Sequence, residues 1–321
     1  MRKLIGHDEA WAVWRAARAG QRMHHGWILA GREGLGKAAF ARAAAAELVA
    51  EQGVVQPASG AHPDIHVLEP LPSNDDETKK RDEGKAYTRK RNISVDQIRG
   101  VQRRLVTRPT LGARRAVIID AADDLEKGAV NALLKSLEEP PAGTFFLLVT
   151  HQIGRLLPTV RSRCTVLRFH PLGVDDMARA LADEAPQLHG AALEAAIAAG
   201  SGAPGSALAF AEMELGGAWQ IMSRLVTEGD ADLGLRAELS TALGQRPDRE
   251  RLLSAIEAAR RVLVTAMGHS DDATRLRIVE AHAALTRLAT QAPTYNFEPA
   301  LLLLEIGGLL ASVARTRESA A

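Results

Sequence analysis

The stretch that decides the fold is WILAGREGLGKA, residues 27–38. Its first four residues are apolar, as in a buried strand, and the glycine-rich part that follows has the G-x-x-x-x-G-K spacing of a phosphate-binding loop. Glycines let successive backbone N–H groups converge on a phosphate, and a lysine reaches the terminal phosphates. The candidate phosphate contacts are Gly31, Gly34, Gly36 and Lys37. A glycine-rich turn with no nucleotide role is the alternative.

Short apolar runs alternate with helix-like stretches from about residue 27 to residue 170. This alternation is typical of a parallel sheet with helices on both faces, so the sequence predicts a doubly wound α/β domain. The predicted strands cover residues 27–30, 64–68, 116–120, 145–150 and 165–169.

Three helices of this domain are predicted from local signals. Residues 38–50 are alanine-rich and unbroken, and Ser94 and Gln97 have the spacing of a capping box that opens a helix through about Leu105. A third helix is predicted by apolar residues at i, i+3, i+4 and i+7, and two prolines end it. These apolar residues are Val130, Leu133, Leu134 and Leu137.

Residues 72–92 are polar, dense in charge and poor in apolar side chains. Such a composition predicts a mobile, solvated insertion rather than a helix or strand. Contact of its basic side chains with a DNA backbone is the alternative. The basic residues concerned are Lys79, Lys80, Arg81, Arg89, Lys90 and Arg91.

After Pro171 the strand-like runs end and alanine and leucine dominate, which predicts two all-helical parts, about 171–212 and 213–321. The second part carries long amphipathic stretches such as residues 252–267 and 276–288, and it ends in residues 299–310. The last of these begins with a proline, as a first helical turn allows, and is more apolar than a solvated helix needs. It is either core or packs against equivalent helices of other subunits.

The composition is that of a globular protein, with 46% hydrophobic and 25% charged residues in a chain of 321. A net charge of +1 gives no global attraction to a polyanion. No apolar run is long enough to span a bilayer and no signal-peptide pattern is present, so we expect a cytoplasmic protein with no membrane contact. The single cysteine excludes an internal disulfide and a multi-cysteine zinc site.

Two groups that ATP hydrolysis needs are missing near the phosphate loop. The position after the lysine, where a hydroxyl would hold Mg²⁺, is Ala38, and the residue after the candidate metal-binding Asp120 is Ala121 rather than a glutamate that orients water. Asp123 and Asp124 are close in sequence. We expect them to be solvated helix-capping acids, with substitution for the missing base as the alternative.

Several motifs together resemble bacterial clamp-loader subunits of DNA polymerase III, which are AAA+ proteins. Besides the phosphate loop, they are DAAD (120–123), NALLK (131–135), LEEPP (137–141) and LLPTVRSRC (156–164). The LEEPP and SRC elements are specific in combination. The resemblance implies an AAA+ domain over 1–170, a helical lid over 171–212 and an oligomerising helical collar over 213–321.

The resemblance also implies partners. These are clamp-loader subunits of gamma/tau and delta type in a hetero-pentamer, with the sliding clamp and primer-template DNA reached through the complex. In such complexes the SRC arginine, Arg163 here, points into the ATP site of the adjacent subunit. Arg161 lies two residues away and remains an alternative candidate for this arginine, which is called an arginine finger. Cys164 is expected to be a small buried hydrophobe rather than a reactive thiol.

Two departures from the family pattern and one match to it follow. The chain cannot form the four-cysteine zinc module that many members carry, and Ser206 stands where a lid arginine would contact nucleotide. Thr150 matches a polar position that senses nucleotide in the family, although a role in capping or in starting a loop explains this threonine equally well. We therefore expect no required cofactor, no metal and no zinc, with weak ATP or ADP binding allowed.

Three functions remain open at this point. The first is a stator, meaning a subunit that does not hydrolyse ATP and completes the active site next door with Arg163. The second is an active ATPase motor subunit of the same clamp loader. The third is an unrelated P-loop enzyme such as a small-molecule kinase, which would need the hydroxyl that Ala38 lacks.

Overall fold

A computed structural model describes residues 4–314 except 21, 52, 58–61, 245, 246, 248, 269 and 293–296. The chain divides into two compact units, Met1–Pro171 and Leu172–Ala321. The further division of the second unit into a lid and a collar at residue 212 stays a prediction.

The first unit alternates strands and helices along the chain. Its strands are β1 (Gly26–Ala30), β2 (Ile65–Leu68), β3 (Arg115–Ile119), β4 (Thr144–Thr150) and β5 (Thr165–Arg168). Its helices are α1 (Asp8–Ala19), α2 (Lys37–Val49), α3 (Asp75–Asp82), α4 (Val95–Leu105), α5 (Lys127–Glu138) and the short α6 (Pro158–Arg161). The five predicted strands are confirmed, with ends that differ by about one residue.

The five strands form one parallel sheet in the order β2-β3-β4-β1-β5. Side chains alternate along β1, as they must in a strand. Ile28 and Ala30 join the apolar cluster formed with α4 and α5, whereas Trp27 packs against Trp14 of α1 on the other face. Because both faces are covered, the central strands are apolar throughout, which explains why they read as continuous runs. The doubly wound α/β prediction is confirmed.

The helices predicted from local signals are also confirmed. The capping box of Ser94 and Gln97 opens α4, with the Ser94 backbone N–H donating to Gln97 Oε1 at 3.1 Å. On α5, Leu133 and Leu137 are fully buried and Val130 is partly buried against the same cluster. These helices form where expected because the signals that specify them lie within one or two turns.

The prediction for residues 72–92 was wrong, because part of this segment is the helix α3. Asn74 caps its first turn by accepting a hydrogen bond from the Glu77 backbone N–H at 2.9 Å. Acidic side chains occupy the first turn and basic ones the last, the arrangement that the helix dipole favours. The segment has no apolar face, so α3 depends on its cap, its dipole and local charge pairs.

Four of the six basic side chains proposed for DNA contact form ion pairs within the chain. Ion pairs join Lys79 to Asp76, Lys80 to Glu77, Arg81 to Asp82 and Arg89 to Glu69. Such exposed pairs contribute little to stability, but they partly neutralise the surface that the DNA-contact alternative requires. DNA contact by this segment stays a prediction.

The second unit is helical in the part that the structure describes. Its helices are α7 (Val174–Glu184), α8 (Gly190–Gly200), α9 (Pro204–Glu212), α10 (Gly216–Glu228), α11 (Gly234–Leu243), α12 (Arg249–Met267), α13 (Asp272–Gln291) and α14 (Pro299–Ala311). One apolar cluster runs through all of them. Most of the apolar side chains of α14 belong to that core, whereas Leu301 and Leu304 are exposed.

None of the helices over the described ranges combines the length and the apolar character required to cross a membrane.

Candidate functional site

The glycine-rich loop connects the end of β1 to the start of α2. Gly34 and Gly36 have φ angles of 78° and 77°, in the left-handed region that favours glycine. A Cβ on Gly31 would lie 2.6 Å from the carbonyl oxygen of Phe169, which leaves no room for a side chain. All three glycines are therefore required by the backbone path. This path ends at a helix N-terminus, as a phosphate cradle does.

A histidine far from the loop in sequence holds it in place. His7 donates from Nε2 to the carbonyl oxygen of Leu35 at 2.8 Å, and its ring contacts Phe169 edge-on with centroids 4.9 Å apart. Sequence reasoning missed His7 because no local pattern links it to a loop 28 residues later.

Lys37, the lysine of the loop, is only 2% exposed. Its Nζ donates to the carbonyl oxygen of Arg32 and lies 3.1 Å from Nδ1 of His151. Burial lowers the pKa of Lys37 to about 8, and the carboxylates of Glu33 and Asp120 oppose that shift. A phosphate at this loop would supply the negative charge that the buried ammonium lacks.

The acidic side of the site is incomplete for metal binding. Asp120 directly follows β3 and is half-buried, and burial raises the pKa of its carboxyl group. Ala121 is buried and, like Ala38, has no side-chain oxygen. The glycine cradle thus fits a phosphate group, whereas the residues at these positions do not reproduce the Mg²⁺ ligands of a hydrolysing P-loop protein.

Asp123 is not a solvated helix-capping acid, so that prediction was wrong. Its carboxylate accepts three hydrogen bonds from the end of β4: from Thr150 Oγ1 at 2.8 Å, from the His151 backbone N–H at 2.7 Å and from the Gln152 backbone N–H at 3.2 Å. Helix α5 begins after Glu126 instead. Asp123 therefore fixes the turn that presents Thr150 and His151 to the loop.

Sheet topology explains why these residues meet. In a parallel sheet the carboxyl ends of all strands lie at one edge, where ligands bind. Because β1, β4 and β3 are neighbours, the glycine loop, Thr150 and Asp120 come together at this edge. The six predicted nucleotide-site residues thus share one location: Gly31, Gly34, Gly36, Lys37, Asp120 and Thr150.

Arg163 lies at the opposite edge of the same sheet. It precedes β5, which runs parallel to β1 with Thr165 opposite Trp27, so Arg163 is level with the beginning of β1. A Cβ on Gly26 would lie 3.0 Å from the carbonyl oxygen of Arg163, which confirms how closely the two segments pack. The Arg163 side chain is 35% exposed and pairs with Glu138 at 2.7 Å.

Arg161 and Cys164, which are close to Arg163 in sequence, have different surroundings. Arg161 is exposed, and its side chain pairs with no carboxylate among the described residues. Burial raises the pKa of the Cys164 thiol to about 12, so the thiol stays protonated at neutral pH and behaves as a small apolar group. Ser206 belongs to the second unit, on α9.

A parallel sheet in this strand order, with a glycine loop after β1 and polar residues at the carboxyl ends of β4 and β3, defines an AAA+ type of P-loop fold. The solved structure of a DNA polymerase III gamma subunit-related protein from Thermotoga maritima is similar, with a TM-score of 0.53 over 95% of this chain and 99% of that one. At 18% identity, this similarity shows the fold alone.

The model of the family described as "DNA polymerase III, delta subunit" matches residues 6–173, and the chain belongs to this family. Subunit delta' of DNA polymerase III from Pseudomonas aeruginosa is 35% identical over 60% of this chain, and that from Escherichia coli is 32% identical over 64%. The matches span 57% and 58% of those relatives' own lengths, less than two thirds. These matches confirm that the sequence motifs resemble those of clamp-loader subunits, and the relatives that match are delta' subunits.

The three hydrogen bonds to Asp123 give a first prediction. We expect Asp123→Ala to lower the free energy of unfolding by about 2–4 kcal/mol, because it leaves a buried threonine hydroxyl and two backbone N–H groups without their acceptor. Urea unfolding measures this change. The matched control is Asp124→Ala, whose effect should stay below about 1 kcal/mol because no described donor contacts that carboxylate. Equal effects of the two substitutions would contradict the assigned role.

The lowered pKa of Lys37 gives a second prediction. Because the folded-state pKa of about 8 lies below the ordinary 10.5, the buried charge opposes folding fully below pH 8 and progressively less from pH 8 to 10.5. We expect Lys37→Met to raise the free energy of unfolding at pH 7 by roughly 1–3 kcal/mol. The gain should shrink at pH 10. Urea titrations at both pH values test this, with the exposed Lys135→Met as control, and a gain independent of pH would refute it.

Proposed function

We propose that this chain is a non-hydrolysing stator subunit of a DNA polymerase III clamp loader, which donates Arg163 to ATP bound by a neighbouring subunit. The observation that carries the proposal is the position of Arg163 relative to its own glycine loop. The two lie at opposite edges of one sheet, at the two ends of β1. The ends of this five-residue strand are roughly 13 Å apart at about 3.3 Å per residue. Arg163 is therefore too far from Lys37 to act on a phosphate bound there.

The chain's own loop supports the non-hydrolysing part of the proposal. Hydrolysis requires a base that orients water against the γ-phosphorus and a metal ion that neutralises the developing charge. Ala121 and Ala38 offer no oxygen for either task, and the nearby Asp123 is engaged by three donors of the β4 end. Most of the acceptor positions of the Asp123 carboxylate are thus already used within the chain.

Weak nucleotide binding fits the same residues. The glycine cradle is formed, and Lys37, with a pKa of about 8, still carries its charge at neutral pH. We propose that ATP or ADP binds weakly here without a bound metal ion and that the function requires no cofactor and no zinc.

The contribution of Arg163 is electrostatic. A guanidinium beside the γ-phosphate stabilises the charge that spreads over its oxygens in the transition state, and a finger supplied in trans accelerates hydrolysis by about 10³- to 10⁵-fold. Arginine suits this role because it stays protonated and presents several N–H donors in one plane.

Assembly with other subunits is the second part of the proposal. The relatives are named as DNA polymerase III subunits, so the partners proposed here are gamma/tau and delta type subunits in a hetero-pentamer. The second unit offers apolar side chains that its own core does not use, at i and i+3 on two helices: Leu276 and Val279 on α13, and Leu301 and Leu304 on α14. Through the complex, the chain would support loading of the sliding clamp onto primed DNA.

An active motor subunit of the same clamp loader is the alternative, and the intact glycine cradle with Lys37 is the observation that favours it. Family membership removes the third reading, an unrelated small-molecule kinase.

ATP turnover by the purified chain separates the stator from the motor. We expect phosphate release by the wild-type chain to equal that of its Lys37→Ala variant, because both lack the water-orienting and metal-binding groups. A steady-state phosphate-release assay measures it. Appreciable turnover that Lys37→Ala abolishes would establish the motor alternative.

Reconstitution with partner subunits tests the arginine. We expect Arg163→Ala to lower the ATPase rate of the complex and clamp loading by at least about 10-fold, because it removes a group whose presence accelerates hydrolysis at the neighbouring site by about 10³- to 10⁵-fold. Arg161→Ala, which removes an exposed arginine two residues away, should leave both rates within about 2-fold. Mass measurement of the intact complex verifies that both variants assemble. Wild-type rates with Arg163→Ala would refute the role of Arg163, and loss only with Arg161→Ala would move the finger to that residue.

A further inference from the structure

The end of helix α5 lies against the segment that carries Arg163. Glu138 is the last residue of α5, and its Oε1 lies 2.7 Å from Nη2 of Arg163. The other terminal nitrogen, Nη1, donates to the carbonyl oxygen of Thr159 at 3.0 Å, with Ser162 Oγ at 3.4 Å. The guanidinium is thus fixed at two points that belong to different elements, α5 and α6.

The backbone around this ion pair has little freedom. Leu137, next to Glu138, is buried, and His25 Nε2 donates to its carbonyl oxygen at 2.9 Å. A Cβ on Gly26 would lie 3.0 Å from the Arg163 carbonyl oxygen and 3.5 Å from the Leu137 side chain. The start of β1, the end of α5 and the Arg163 segment therefore pack on one another, and both partners of the ion pair project from fixed positions.

An isolated surface ion pair contributes little to stability, so stability is a poor explanation for this arrangement. The effect of the ion pair is instead on the conformation of the Arg163 side chain. Arginine has several rotatable bonds, and a free side chain must be ordered when it meets a phosphate. Held by Glu138 and the Thr159 carbonyl, the guanidinium is already ordered, and it stays partly exposed so that its remaining N–H groups are available to a ligand.

We propose that Glu138 is a positioning residue for Arg163: it holds the guanidinium in the orientation in which a neighbouring subunit's γ-phosphate meets it. This inference rests on the proposed function, because it assigns Glu138 a role through Arg163. In this chain the ion pair joins the first glutamate of the LEEPP element to the arginine of the SRC element.

The test is ATP hydrolysis by the complex reconstituted with its partner subunits. We expect Glu138→Ala to lower kcat by roughly 3- to 30-fold, less than the ~10²-fold that a 1 Å misplacement of a catalytic group can cost, with KM for ATP nearly unchanged. Glu138→Gln should retain an intermediate rate, because its amide oxygen still accepts from the guanidinium but without charge assistance.

Glu139→Ala is the matched control. Glu139 is the next carboxylate along the chain, is exposed, and pairs with no cation in the described part of the structure, so its loss should leave kcat at the wild-type value. Unfolding midpoints and the mass of the assembled complex show that each variant is folded and incorporated. Because Glu138 is exposed, its substitution leaves no buried cavity.

The double variant Glu138→Ala/Arg163→Ala shows whether Glu138 acts through Arg163. We expect it to be no slower than Arg163→Ala alone, since there is no guanidinium left to position. A fully additive loss, or a Glu138→Ala rate equal to or above the wild type while Arg163→Ala is slow, would overturn the positioning role and leave the proposed function standing. If Arg163→Ala has no effect, the proposed function fails and the positioning role fails with it.

Discussion

The parallel direction of β1 and its neighbours is the constraint on which the rest of this structure depends. Because β4, β1 and β5 run the same way, everything that follows a strand lies at one edge of the sheet and everything that precedes one lies at the other. The glycine loop follows β1 and Arg163 precedes β5. The fold thereby separates Arg163 from the chain's own glycine loop.

The two edges differ in how their charged groups are satisfied. At the loop edge, Lys37 is hydrogen-bonded to a carbonyl oxygen and His151, and Asp123 accepts three hydrogen bonds from the end of β4. Both charged groups therefore have hydrogen-bond partners within the chain. At the opposite edge the Arg163 guanidinium is anchored but partly exposed. A group that is ordered and accessible is better prepared for an external ligand than one that must first break internal contacts.

Prediction from sequence succeeded or failed according to the range of the interactions involved. The α4 capping box and the loop glycines were predicted because their signals lie within a few residues. The helix α3 was missed because its segment has no apolar periodicity, and its Asn74 cap is weak evidence beside that composition. Asp123 was assigned to a helix cap because its true partners, Thr150 and the backbone after it, are 27 to 29 residues away.

The sequence by itself determined the five strands, the helices α2, α4 and α5, the α/β class, the glycine loop, and the absence of side-chain oxygens at Ala38 and Ala121, since residue identity and local spacing suffice for these. Only the tertiary structure decided that His7 supports the loop, that Asp123 binds the end of β4 and that Glu138 holds Arg163. The physical reason is that each of these contacts joins residues brought together by strand order and helix packing, and no local pattern encodes which distant side chains will meet.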